Sequence, residues 1–220
     1  MITQWSVSRF NDWLKCPFYA KCKHVTKIRE PPNQFSDRGL AVHKSMEDYL
    51  HNKPHSFAEI HPSWVPVLDK IKSEGGEAEL QLAVRKDWSV TGWFDKDCWG
   101  RVVIDVATFN EESKTITLRD FKTGKMRDDY WDQLEVYSCV GLSLLPSATV
   151  INNELLYLDH PLPESHIKQV VQADTVAGLR KKWEGKLQPM LSDTTFAPNP
   201  GKHCNWCHYS RHKGGPCPSH

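Results

Sequence analysis

The 220-residue chain contains no run of about 18 apolar residues, so it offers no candidate for a helical membrane span. Its first stretch, MITQWSVSRFNDWLKCPF, is polar throughout and lacks the apolar segment of a secretory signal. Neither charge sign dominates. The 28 Lys and Arg against 27 Asp and Glu leave a net charge of +1, so any nucleic-acid partner must be met by a local basic groove, not a global field. Internal repeats and low-complexity tracts are also missing. The expectation is a cytoplasmic protein (of a bacterium, an archaeon or a phage-infected host) with no membrane partner.

What is present is an ordinary mix of 39% apolar and 25% charged residues, enough for one sizeable α/β core without forcing a second domain. The seven cysteines are an odd number and follow no export signal, which argues against a disulfide framework and for metal or cluster binding.

Helical spacing recurs over SVSRFNDWLKCPFYAKCKHV, with Ser6 or Ser8 as cap, and over SDRGLAVHKSMEDYLHN; a third helix is expected from Pro62 to Ser73. From Glu77 the period changes to two. EAELQLAVRKDWSVTGW, GRVVIDVATF and KTITLRDFK read as a three-stranded meander. A helix over DDYWDQLEVYSCVGLSLL ends at Pro146, and a strand follows over ATVINNELLYLDHP. The stretch Pro163–Leu191 reads as one long amphipathic helix, and the tail from Pro198 as loop.

Ile116, Leu118, Asp120 and Lys122 fall on one face of their strand, which sets a carboxylate and an ammonium among buried aliphatics. Either charge buried alone is costly, so a partner is required. Asp105, in the aliphatic run VVIDVAT of the preceding strand, can supply a second carboxylate. Two crowded carboxylates repel, and a hard divalent cation with oxygen ligands relieves that repulsion. Such a cation beside a lysine suits phosphodiester hydrolysis. Asp95 and Asp97 are rivals to Asp105, but their Gly-bounded, charged segment reads as a loop, and a rigid strand holds a ligand better. Asp105 is therefore chosen. His43 and Glu47, and likewise Gln133 and Tyr137, are four residues apart and so share a helix face.

In this order the pieces resemble the PD-(D/E)XK nuclease superfamily, specifically its RecB-like exonuclease branch. They are SVSRFNDWLKCPF, RGLAVHKSMEDYL, VVIDVATF, LRDFKTGK and QLEVY. The resemblance spans Ser6 to Pro218. It implies an α/β, restriction-endonuclease-like core, a mixed sheet flanked by helices, over about 37–190 of a single 1–220 domain, with cluster-binding elements from 6–25 and 198–220. It also implies a site in which His43, Asp105, Asp120 and the Phe121 carbonyl hold Mg²⁺ or Mn²⁺, with Glu79 as a further acidic ligand. Lys122 then orients the attacking water, and Gln133 and Tyr137 contact the phosphate or order the lysine.

The tail GKHCNWCHYSRHKGGPCPSH contains a C-x-x-C, which places two thiolates on one metal centre. By the same resemblance Cys16, Cys204, Cys207 and Cys217 ligate a [4Fe–4S] cluster that staples the chain ends together. The gap from Cys207 to Cys217 is longer than the family's usual one. A structural zinc site using His203, His208, His212 or His220 is the alternative, while Cys22, Cys98 and Cys139 read as plain thiols.

The resulting expectation is a Mg²⁺- or Mn²⁺-dependent deoxyribonuclease, more an exonuclease than an endonuclease, acting on single-stranded DNA or duplex ends. A recombination or CRISPR-adaptation protein is a candidate partner. RKDW, KTGKMR and LRKKWEGK could track a strand by phosphate contact and stacking. The alternative is a non-catalytic DNA-binding or recombination scaffold of the same fold.

Overall fold

The computed structural model describes residues 1–31, 34–127 and 130–219, and its contacts divide the chain into two compact units, 1–32 with 182–220, and 33–181.

The first unit opens with helix α1 (Val7–Lys15), capped by Ser6, whose hydroxyl accepts the Arg9 N–H. Cys16 interrupts the helix, Pro17 restarts it as the short α2 (Pro17–Ala20), and a π-type turn (Lys21–Val25) follows.

The second unit begins with α3 (Gln34–Leu50), a 3-10 turn at Pro62–Trp64 and α4 (Val65–Ser73). Six strands follow: β1 (Glu77–Val84), β2 (Val90–Thr91), β3 (Gly100–Asn110), β4 (Thr115–Lys122) and, after helix α5 (Trp131–Leu144), β5 (Val150–Tyr157) and β6 (His166–Gln172). The sheet order is β2-β1-β3-β4-β5-β6. Among the described residues only β4 and β5 pair in parallel, and α5 is the crossover that parallel neighbours require. The sheet is mixed and flanked by helices, as a restriction-endonuclease-like fold demands. One face packs Val106, Phe121 and Leu156 against Val42 and Met46 of α3 and Leu68 and Ile71 of α4. On the other face α5 lies so close that a Cβ on Gly141 would stand 2.8 Å from Leu118.

Two expectations about elements are corrected. The stretch Pro163–Leu191 is not one helix: it divides into β6, a 3-10 turn (Ala173–Thr175) and α6 (Val176–Ser192). Exposure alternates along HIKQVVQ from Ile167 on, and all seven of its residues pair antiparallel with β5, so ladder bonds outweigh local helical spacing. The first meander strand is likewise a hairpin, turning through Arg85–Ser89 into β2. Among the described residues no helix is long and apolar enough to cross a membrane.

Candidate active site

Three carboxylates stand in a row across the sheet. In the β1–β3 ladder Ala78 pairs with Val106 and Leu80 with Ile104, so Glu79 lies opposite Asp105. On the other side of β3 the last paired rung is Val106 with Arg119, and Asp105 and Asp120 occupy the next positions. Glu79 sits at a φ of 52°, a left-handed conformation that costs energy in a residue with a side chain and gathers at functional sites. His43 reaches the row from α3, its Nδ1 3.3 Å from Asp105 Oδ1. One ligand atom each from His43, Glu79 and Asp105 lies within 4.8 Å of the other two.

Asp120 faces a different set of partners. Its Oδ1 accepts from Tyr137 Oη at 2.6 Å and from Gln133 Nε2 at 2.5 Å. Its Oδ2 is buried and receives no hydrogen bond, only the ion-pair contact of Lys122 Nζ at 2.5 Å. Lys122 in turn donates to Gln133 Oε1 at 2.8 Å, so Gln133 fixes both the acid and the lysine. The i, i+4 spacing on α5 brings Gln133 and Tyr137 together, with 2.9 Å between amide and hydroxyl. Asp105 Oδ2 accepts the Phe121 N–H at 2.6 Å, a side-chain bond where the β3–β4 ladder has ended.

The electrostatics follow from this crowding. Burial, then the Asp120 charge, raises the Asp105 carboxyl, while His43 and the Phe121 N–H partly offset the rise. Burial and the charges of Asp105 and Glu47 raise Glu79. Burial, Asp120 and Asp105 hold Tyr137 well above the usual phenol range, so it stays a donor. Burial would lower His43, but Asp105 and Asp120 outweigh that and raise it. Two carboxylates and one imidazole, from Glu79, Asp105 and His43, with ligand atoms this close together, fit a divalent metal ion.

Other residues aim this site. A Cβ on Gly39 would stand 3.3 Å from Thr123 Oγ1, so the glycine four residues before His43 lets α3 approach the segment after Lys122. Arg38 donates to both oxygens of Asp159 at 2.9 and 3.0 Å, and Asp159 also accepts the Gly124 N–H at 2.6 Å. Sequence reasoning missed this clamp, because Arg38 and Asp159 are 121 residues apart and no local pattern links them. Asp95 and Asp97 are exposed turn residues instead. Asp95 accepts the Gly92 N–H and the Thr91 hydroxyl, and Asp97 pairs with Arg85.

In the first unit Cys16, Cys204, Cys207 and Cys217 line one pocket, partly open to solvent, with Phe18, Tyr209 and His203 in its wall. Backbone N–H groups of Asn199 and Gly201 approach Cys16 Sγ and Cys204 Sγ, each at 3.4 Å. Cys22 is buried beside Cys16 and Cys207, and burial with the neighbouring thiols pushes it up to about 11. Cys98 and Cys139 are buried. His208 and His212 are exposed, and His220 lies outside the described residues.

A family model for the PD-(D/E)XK nuclease superfamily matches residues 4–212. The chain belongs to the PD-(D/E)XK nuclease superfamily. Among solved structures it is similar to the protein SSO0001, at 15% identity, a TM-score of 0.46, and coverage of 96% of this chain and 85% of that one. It is also similar to a protein of Eubacterium rectale named "putative exonuclease", at 12% identity, a TM-score of 0.48, and coverage of 96% and 88%. A comparison with curated proteins finds no match. The row of carboxylates thus lies in the sheet of a PD-(D/E)XK protein, at the point where β3 and β4 stop pairing.

Proposed function

We propose that this PD-(D/E)XK protein is a Mg²⁺- or Mn²⁺-dependent deoxyribonuclease that works as an exonuclease on single-stranded DNA or duplex ends. The observation that carries the proposal is the row Glu79, Asp105 and Asp120, with His43 at one side and Lys122 at the other. His43, Glu79, Asp105 and Asp120, with the Phe121 carbonyl, are the metal ligands. A divalent cation held there supplies Lewis acidity and a water of lowered pKa.

The protein's own groups do the positioning. Lys122 is fixed by its ion pair with Asp120 Oδ2 and its hydrogen bond to Gln133 Oε1, so its ammonium is oriented beforehand to bind and orient the attacking water. Tyr137 and Gln133 hold Asp120 in place by donating to it. The phosphate substrate brings negative charge to a site already rich in carboxylates. Cleavage must therefore depend strictly on added metal.

The cysteine cavity is proposed as a [4Fe–4S] site with a structural role. Four thiols converge on it, and backbone N–H groups reach two of the sulfurs, an arrangement that tunes cluster sulfurs. Zn–S bonds of about 2.3 Å would set sulfurs under about 4 Å apart. Among the described residues no three Cys or His ligand atoms of this cavity meet within 4.8 Å of one another.

The test is cleavage of linear and circular single- and double-stranded DNA with Mg²⁺, Mn²⁺ or EDTA. Degradation confined to linear DNA with Mg²⁺ or Mn²⁺ is the expected result. Cleavage of circular DNA would remove the exonuclease reading, and no cleavage of any substrate would remove the nuclease.

A further inference from the structure

Phe94 is 88% exposed, the barest large apolar side chain among the described residues, and it sits at the tip of the turn between β2 and β3. The turn is rigidly built. Asp95 accepts the Gly92 N–H at 2.8 Å, and a Cβ on Gly92 would stand 2.8 Å from that carboxylate, so a larger residue there would have to displace the Asp95 side chain. Asp97 is tied to Arg85, and the rings of Trp88 and Trp99 meet edge to face at 5.3 Å. A large aromatic held bare on a braced turn loses little conformational entropy when it is covered.

A cation stands beside it. The Arg101 guanidinium lies 5.2 Å from the Trp93 ring centroid and 5.7 Å from that of Phe94. Arg101 Nε is buried without a hydrogen-bond partner, and among the described residues no carboxylate forms an ion pair with Arg101. The two acids of the turn are already engaged, Asp95 with Thr91 and Gly92, Asp97 with Arg85.

The position on the strand gives the platform a direction. Arg101, Val103 and Asp105 alternate along β3 and share a face, and the Val103 carbonyl accepts from Tyr137 Oη. Arg101 and Asp105 are four residues apart, about 13 Å of strand. About four stacked nucleotides span that distance.

We propose that Trp93, Phe94 and Arg101 form a stacking platform for single-stranded nucleic acid, Phe94 against a base and Arg101 against a phosphate, on the strand leading to the carboxylate row. Every base presents a π-face, so this contact is indifferent to sequence. The destination of the strand rests on the nuclease reading; the platform itself does not.

The test is fluorescence anisotropy of a 5′-fluorescein-labelled twelve-nucleotide oligothymidylate with the full chain in Ca²⁺, across a salt series. Phe94→Ala is expected to weaken binding by about tenfold or more, and Phe94→Trp to restore it. Arg101→Gln is expected to weaken binding and to flatten the slope of log K against log salt by about 0.7, the value for one single-strand phosphate contact. Val170→Ala, an exposed apolar side chain on β6, is expected to change nothing. Equal affinity for Phe94→Ala and wild type overturns the platform, as does an equal loss in Val170→Ala. Loss of self-association in sedimentation with unchanged oligonucleotide affinity also overturns it, since Phe94 would then serve a protein interface. A protein that binds through Phe94 but cleaves nothing keeps the platform and removes the nuclease.

Discussion

Asp105 and Asp120 stand opposite each other on neighbouring strands, one step beyond the last paired rung of the β3–β4 ladder. Like charges in that relationship destabilise a sheet. Here they are held by the Phe121 N–H and His43 on one acid, and by Tyr137, Gln133 and Lys122 on the other. The sheet therefore stores a repulsion that a cation bound there would relieve.

Lys122→Ala is expected to lower cleavage by at least about 10²-fold and to leave DNA affinity in Ca²⁺ within a few-fold of wild type. A group that acts mainly in the transition state changes turnover more than binding. Single-turnover cleavage at near the wild-type rate would remove Lys122 from the chemistry.

The Glu154 carboxylate predicts an acid limit to stability. Burial alone would raise it, but the neighbouring His166 and the charges of Arg119 and His166 outweigh that and bring it down to about 2. A depressed acid stabilises the fold above its unfolded pKa, and that contribution is lost as pH falls towards 2. Urea unfolding of wild type should weaken between about pH 4.5 and 2, by roughly 2–3 kcal/mol from this group. Glu154→Gln should be less stable at pH 7 and show a flatter acid limb. Parallel pH profiles would contradict the assignment.

Gly215 sets the place of Cys217. A Cβ there would stand 2.3 Å from the Tyr209 backbone carbonyl, while the Cys217 N–H bonds Tyr209 O at 3.0 Å and the Gly215 N–H bonds Ser210 O at 2.9 Å. This fold-back brings Cys217 to the cavity despite the long spacing from Cys207. Anaerobically purified protein should be brown, and Gly215→Ala, Cys16→Ala and Cys207→Ala should each bleach the broad visible absorption. Filled-shell zinc is colourless. Colourless, zinc-containing protein that tolerates Cys16→Ala would place a local zinc site at Cys204, Cys207 and Cys217 instead.

Asp105, Asp120 and Lys122 were legible because each interrupts an aliphatic strand, where a buried charge needs a reason. Gln133 and Tyr137 were legible through the i, i+4 rule. The position of Glu79 opposite Asp105 was not derivable, since it depends on a register between residues 26 apart in sequence and on a strained φ at Glu79. β6 was missed because its helical spacing is local while its pairing with β5 is not. The Arg38–Asp159–Gly124 clamp was missed for the same reason: its partners meet only once the sheet has formed.

The most direct test of the metal site is thermal unfolding of wild type and Asp105→Asn at pH 8, with and without Mn²⁺. Asparagine can still accept the Phe121 N–H but removes one of three crowded charges. The metal-free variant should therefore melt at or a few degrees above wild type, where about 1 kcal/mol corresponds to roughly 2–4 °C in a chain of this size. Saturating Mn²⁺ at about 100 times Kd should stabilise wild type by about 2.7 kcal/mol and leave Asp105→Asn almost unmoved. A metal-free variant that melts well below wild type and gains as much from Mn²⁺ would contradict a cation site built on Asp105.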